Sequence, residues 1–205
     1  MFLDSGYSGV MNKTLNPDLQ NSRRYPAHWI RSDNRVGYLQ IVETDGKEHA
    51  MITDLIVRLS LRGSFNLIAV DEWLPDRDTL YRSVRRYTLK VKEAMDRPRI
   101  KRPMTCLQLK DLLMETDLQN KPTLIVNYFY HFYNADVELS LRERVLKQCC
   151  QYTKSLSLCD PVIVIAPRLS RAEYTRFFPV LASVADEIIP IAEWSVIGVS
   201  QGSLF

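Results

Sequence analysis

Several features of secreted, metal-bound or membrane-spanning proteins are missing from this chain of 205 residues. There are four cysteines, Cys106, Cys149, Cys150 and Cys159, and no two of them form a CxxC pair. The adjacent Cys149 and Cys150 fall in a segment of helical character, where neighbouring side chains point in different directions, so reduced, structural thiols are expected rather than a disulfide framework. The three histidines, His28, His49 and His131, have no metal-ligand spacing, and neither a metal site nor a cofactor is expected. No apolar run reaches the roughly 18 residues that a bilayer span needs. The opening MFLDSGYSGV has neither the basic flank nor the small-residue cleavage pattern of a secretory signal. The expectation is an intracellular protein, cytoplasmic or, in a eukaryote, nuclear, with no membrane partner.

The hydrophobic content of 46% is enough for one sizeable core. Residues 1–35 are polar and irregular and read as an arm, and residues 36–205 read as one domain. Within that domain, short apolar runs rich in β-branched residues alternate with segments of helical period. Strands are expected at 38–44, 65–71, 99–103, 123–129, 161–167 and 187–192, and helices at 50–62, 77–95, 105–116, 138–157 and 170–184. In the first helix Met51, Leu55 and Leu59 form one stripe, closed by a basic last turn at Arg62 and a stop at Gly63. Strands such as LIVNYF and VIVIA are apolar at consecutive positions, as expected when helices cover both faces of a parallel sheet. The predicted fold class is therefore a three-layer α/β sandwich with a mostly parallel central sheet. The final WSVIGVSQGSLF could add an antiparallel edge strand.

Positive charge is concentrated. From Arg82 to Arg102 there are nine basic residues against two acidic ones, an excess larger than the whole-chain net charge of +3. Such a cluster can neutralise nucleic-acid phosphates, or it can be a solvated helix face. Arg82, Arg85, Arg86, Arg99, Lys101 and Arg102 are the candidate contacts.

Residues 41–55, IVETDGKEHAMITDL, open like a strand and phosphate-binding turn. The motif G-x-x-x-x-G-K-[ST] needs glycines so that backbone N–H groups can wrap the phosphates, a lysine for the outer phosphates and a hydroxyl for magnesium. Aligned from Gly46, the second glycine falls on Met51 and the lysine on Ile52, and only Thr53 survives. Taking Gly46-Lys47 as the GK pair instead puts Ile41 at the first glycine and Glu48 at the hydroxyl, where a carboxylate would face the phosphates. The position suits a nucleotide site and the chemistry does not.

The series of segments resembles the core of RecA-type recombinases and their archaeal and eukaryotic paralogues. IVETDGKEHAMITDL resembles the strand, phosphate loop and following helix, and RGSFNLIAVDEW the second strand with its acidic end. RIKRPMTCLQLKDLLMET resembles the family segment in which a short strand with a basic end leads through Thr105 into a helix around Gln108. The run from Thr123 to Arg168 resembles the magnesium-site strand, first DNA-binding loop, long helix and next strand. The likeness covers about residues 38–192 and implies a RecA-like fold of the P-loop NTPase type.

It also implies degenerate chemistry. The strand that normally ends in a magnesium-holding aspartate ends here in Asn127, and Ile52 stands where the lysine belongs. Phosphoryl transfer rests on positioning and electrostatics, so losing both charged groups should remove most of a hydrolytic rate. Gly46, Lys47, Thr53, Glu72 and Asn127 are then a vestigial nucleotide site, with Glu72, or Trp73 in its place, where the family keeps its water-activating carboxylate.

Three further stretches admit two readings each. GVSQG, Gly198 to Gly202, matches the G-x-S-x-G elbow of hydrolases, but neither a helix nor an Asp and a His follow Ser200. YFYHFYNAD, 128–136, could stack on bases through Tyr130 and His131, or be core and protein interface. RLSRAEYTR, 168–176, could meet phosphates through Arg168 and Arg171, or be a helix start capped at Ser170.

These readings lead to a non-catalytic RecA-fold protein that binds DNA, a protein partner or further copies of itself in recombination or repair. The alternatives are an NTPase with an atypical loop, and a signalling or scaffold relative that binds no nucleic acid.

Overall fold

A computed structural model of the chain describes residues 38–44, 49–71, 74–115, 121–168 and 172–190. The element order is β1 (Leu39–Thr44), α1 (His49–Arg62), β2 (Phe65–Ala69), α2 (Arg77–Arg85), α3 (Val91–Met95), β3 (Pro98–Lys101), α4 (Cys106–Leu113), β4 (Thr123–Val126), α5 (Leu139–Ser157), β5 (Val162–Pro167), α6 (Ala172–Ala182) and β6 (Glu187–Ile189). The six strands form one sheet in the order β3-β2-β4-β5-β1-β6, and every pair is parallel. This is the expected α/β class, and its topology is compatible with a RecA-like core.

The strands divide their side chains between two apolar layers. Leu39 and Ile41 of β1 join Ile125, Val162 and Val164 in a layer covered by α4, α5 and α6. Val42 joins Phe65, Leu67, Leu124, Val126 and Ile163 in the layer that buries Met51, Ile52, Leu55, Ile56 and Leu59 of α1. Consecutive apolar residues in these strands are thus the consequence of two covered faces. At ~25 cal/mol per Å2 of apolar surface removed from water, each such residue contributes roughly 1.5–3 kcal/mol.

Local signals set the ends of the helices. α1 stops at Arg62, where the Gly63 N–H donates to the Leu59 carbonyl at 3.1 Å. Asp76 caps α2 by accepting from the Thr79 N–H at 2.7 Å, and Thr105 caps α4 by accepting from the Gln108 N–H at 3.1 Å. The Gln108 side chain returns to accept from the Met104 N–H at 2.7 Å, so this helix start is fastened from both sides.

Two expected elements change. The helix expected over 77–95 is two helices, broken at 86–90, where the Thr88 hydroxyl accepts from the Lys90 N–H at 3.1 Å and Leu89 is 94% exposed. The strand expected over 123–129 ends at Val126, because Asn127 takes a positive φ of 59° and turns the chain out of the sheet. The arm of 1–35, the edge strand considered at the C-terminal end and the GVSQG stretch lie outside the described residues. No described helix is long and apolar enough to cross a membrane.

Candidate functional site

All strands being parallel, their C-terminal ends share one edge, the edge at which open α/β sheets hold ligands. Thr44, Asp71, Lys101, Asn127 and Arg168 all end or follow strands there. Of the nucleotide-site candidates, Gly46, Lys47 and Glu72 lie outside the described residues, as do Arg171 and Ser170.

The described part of the site is committed to the fold. Ile52, where the lysine would stand, is 4% exposed and packed among Leu55, Ile56 and the sheet residues of the α1 layer. The Thr53 hydroxyl donates to the His49 carbonyl one turn back at 2.7 Å, so its proton serves the helix. The Asn127 amide donates to the Asp71 carboxylate at the end of the neighbouring β2. The carboxylate that meets the β4 end is therefore Asp71, and an amide already engages it.

A second polar group lies between β1 and β5. The Arg168 N–H donates to the Thr44 carbonyl at 2.6 Å, extending the pairing of these strands. The Arg168 side chain stands 3.8 Å from Glu43, and the same Glu43 accepts from the Tyr174 hydroxyl at 2.9 Å. Burial first, then the hydrogen bond to Glu43 and its charge, push the Tyr174 phenol above its ordinary value. Glu43 and Tyr174 were not singled out from the sequence. The only local signal for Glu43 was an acid at the end of an apolar strand.

In the aromatic loop Phe129 and Phe132 are core, as one of its two readings expects, but Tyr128 and Tyr133 are buried with them. Tyr128, Phe129 and Phe132 are fully buried: Tyr128 stacks on Phe132 and meets Phe129 edge-on, and Phe177 packs against both Phe129 and Phe132. Tyr130 is half-exposed, and its ring meets that of His131 edge-on. The Nε2 of His131 is 2.8 Å from the Pro103 carbonyl, which only an N–H on that nitrogen can satisfy. This contact joins the loop after β4 to the one after β3.

The basic residues fall into three groups. Arg82, Arg85 and Arg86 are exposed on one side of the last turn of α2, while Val84 faces the core. Pro98 and Ile100 pair with Phe65 and Leu67 of the α1 layer, so Arg99 and Lys101 point to the opposite face. Lys101 is paired there with Glu115 beyond α4. Arg102 and Arg168 remain at the C-terminal edge. The fold thus does not join all the candidate nucleic-acid contacts into one patch.

The thiols are structural where they are buried. Cys106, Cys149 and Cys150 lie in the α5 layer, and burial pushes Cys150 up to about 12 and Cys149 higher still. Cys159 is exposed, and all four are free. Among the described residues, no group of three or more His, Cys, Asp or Glu could hold a metal ion.

No protein-family model matches the chain, and no curated protein matches it. The class rests on architecture: an α/β protein with an all-parallel sheet, compatible with a RecA-like fold.

Proposed function

We propose that this chain is a non-catalytic protein of RecA-like fold that acts by binding, as an accessory or paralogue subunit in recombination or repair. The observation that carries the non-catalytic part is the burial of Ile52 at the place of the phosphate-gripping lysine. A cation there would have to leave the core to reach a phosphate. The Asn127–Asp71 contact supports the same reading, since the end of β4 presents a neutral amide, which is a poorer partner for magnesium than a carboxylate.

DNA contact is supported by the exposed arginines of α2 and, separately, by the exposed Arg102, next in sequence to the Pro103 that His131 contacts. A protein partner or self-association is supported by the exposed Tyr81, Tyr87 and Leu89 around the α2–α3 connection. The test is fluorescence anisotropy with duplex and single-stranded DNA over a range of salt. Replacing Arg85, Arg86 and Arg102 by alanine should weaken binding and lower the salt slope by about 0.9 per lost duplex phosphate contact. Unchanged affinity and slope would remove DNA from the proposal.

A further inference from the structure

A cavity of about 510 Å3 lies between α1, α2 and the β2–β3 side of the sheet. Its size falls in the range of roughly 300–1,000 Å3 typical of small-molecule sites. The walls are apolar: Ile56 from α1, Leu67 from β2, Leu80 and Val84 from α2, Met95 from α3 and Ile100 from β3. Ile100 is half-exposed, so the cavity opens along the sheet edge.

Charge is unevenly placed around it. Arg77 begins α2 and Arg102 follows β3, so both line the cavity near the C-terminal edge. Among the described residues neither guanidinium has an ion-pair partner, whereas Arg58, Arg97 and Lys154 are paired with Asp54, Glu93 and Asp186 at 2.6, 2.6 and 2.7 Å. Two acids also line the cavity. Asp76 has both oxygens engaged by Thr79, each at 2.7 Å, as the cap of α2. Asp96 precedes β3 while Arg102 follows it, and a four-residue strand at ~3.3 Å per residue separates them by roughly 13 Å. One end of an apolar chamber therefore carries two guanidiniums against the single carboxylate of Asp76, an excess of positive charge, and Asp96 stands at the other.

We propose that this cavity binds a small apolar monoanion, an aromatic or medium-chain aliphatic carboxylate. Its hydrocarbon part lies between α2 and the sheet, and its carboxylate meets Arg77 and Arg102, whose planar donors suit that group. This site is distinct from the loop after β1, and it shares Arg102 with the proposed DNA contacts.

The test is methyl NMR titration of the full chain with sodium decanoate, and with decanol as the neutral counterpart. Decanoate should shift the methyls of Ile56, Leu67, Leu80, Val84 and Ile100 while leaving those of the α5 layer in place. Arg102→Gln, a surface change, should weaken decanoate about tenfold, the equivalent of one lost charged hydrogen bond, and leave decanol unchanged. Leu80→Trp, which fills the chamber, should abolish binding of both, with circular dichroism confirming that the variant folds. Shifts scattered outside the cavity, or no binding by decanoate, would overturn the site. Equal binding of decanoate and decanol, with no effect of Arg102→Gln, would overturn the assignment of an anionic ligand.

Discussion

The side-chain amide of Asn127 donates to the carboxylate of Asp71, joining the ends of two adjacent parallel strands. Asn127 does so from a left-handed backbone at φ 59°, a conformation that asparagine tolerates better than most residues. Asn127→Ala should therefore lower stability by about 1–3 kcal/mol, through the lost hydrogen bond and the strained φ together. Asn127→Gly loses the bond but not the backbone fit, so its cost should be smaller by roughly 1 kcal/mol. Urea unfolding midpoints of the two variants decide this, and equal costs would mean that the backbone conformation has no part in it.

Placing a lysine at position 52 should not create a nucleotide site. Ile52→Lys places an ammonium among Leu55, Ile56 and the apolar sheet residues of the α1 layer. The expected outcome is a loss of about 3–5 kcal/mol in urea unfolding, the cost of an uncompensated buried charge, with no gain in ATP binding.

Arg97 belongs to the basic cluster by sequence but serves the fold. Its Nη1 donates to the Ser60 and Leu61 carbonyls at 2.7 and 3.0 Å, groups left over at the end of α1, while Nη2 donates to Glu93 at 2.6 Å. Arg97→Ala should cost about 1.5–3 kcal/mol by chemical denaturation and leave any DNA affinity unchanged. Arg97→Lys should recover only part of the loss, because an ammonium lacks the fork that reaches both groups.

Asp186 ties β6 and α5 to β1, accepting from the Leu39 N–H and from the Lys154 ammonium, each at 2.7 Å. Burial alone would raise its carboxyl, but these hydrogen bonds and the Lys154 charge together hold it below the ordinary 3.8. A carboxyl held low in the fold contributes stability above its unfolded value, and that contribution is lost as pH falls through the folded value. Wild type should accordingly be more stable than Asp186→Asn at neutral pH, and the gap should close as pH drops below about 4. Unfolding midpoints across that range test it, and a gap that widens on acidification would contradict it.

The parallel sheet was legible because its signal is local: apolar runs, β-branched residues and helical stripes each declare themselves within a few residues. The break in the 77–95 helix was not. Val84 and Val91 are seven residues apart, two helical turns, so the apolar period runs on through the interruption, and both valines are buried in one cluster with Val57 and Ala94. In the candidate site, the burial of Ile52 was legible beside the apolar stripe of α1. The partners were not. Asp71 and Asn127 are 56 residues apart, and His131 and Pro103 28, and they meet only because β2 pairs with β4 and β3 lies on the other side of β2. For the same reason a basic run that looked continuous along the chain is divided between the two faces and one edge of the fold.

Calorimetric titration of the chain with ATP and magnesium tests the central claim most directly, that the turn after β1 no longer grips a triphosphate. No binding heat is expected up to about millimolar nucleotide, a ceiling on affinity of roughly 4 kcal/mol. Saturable micromolar binding that depends on magnesium would contradict the account.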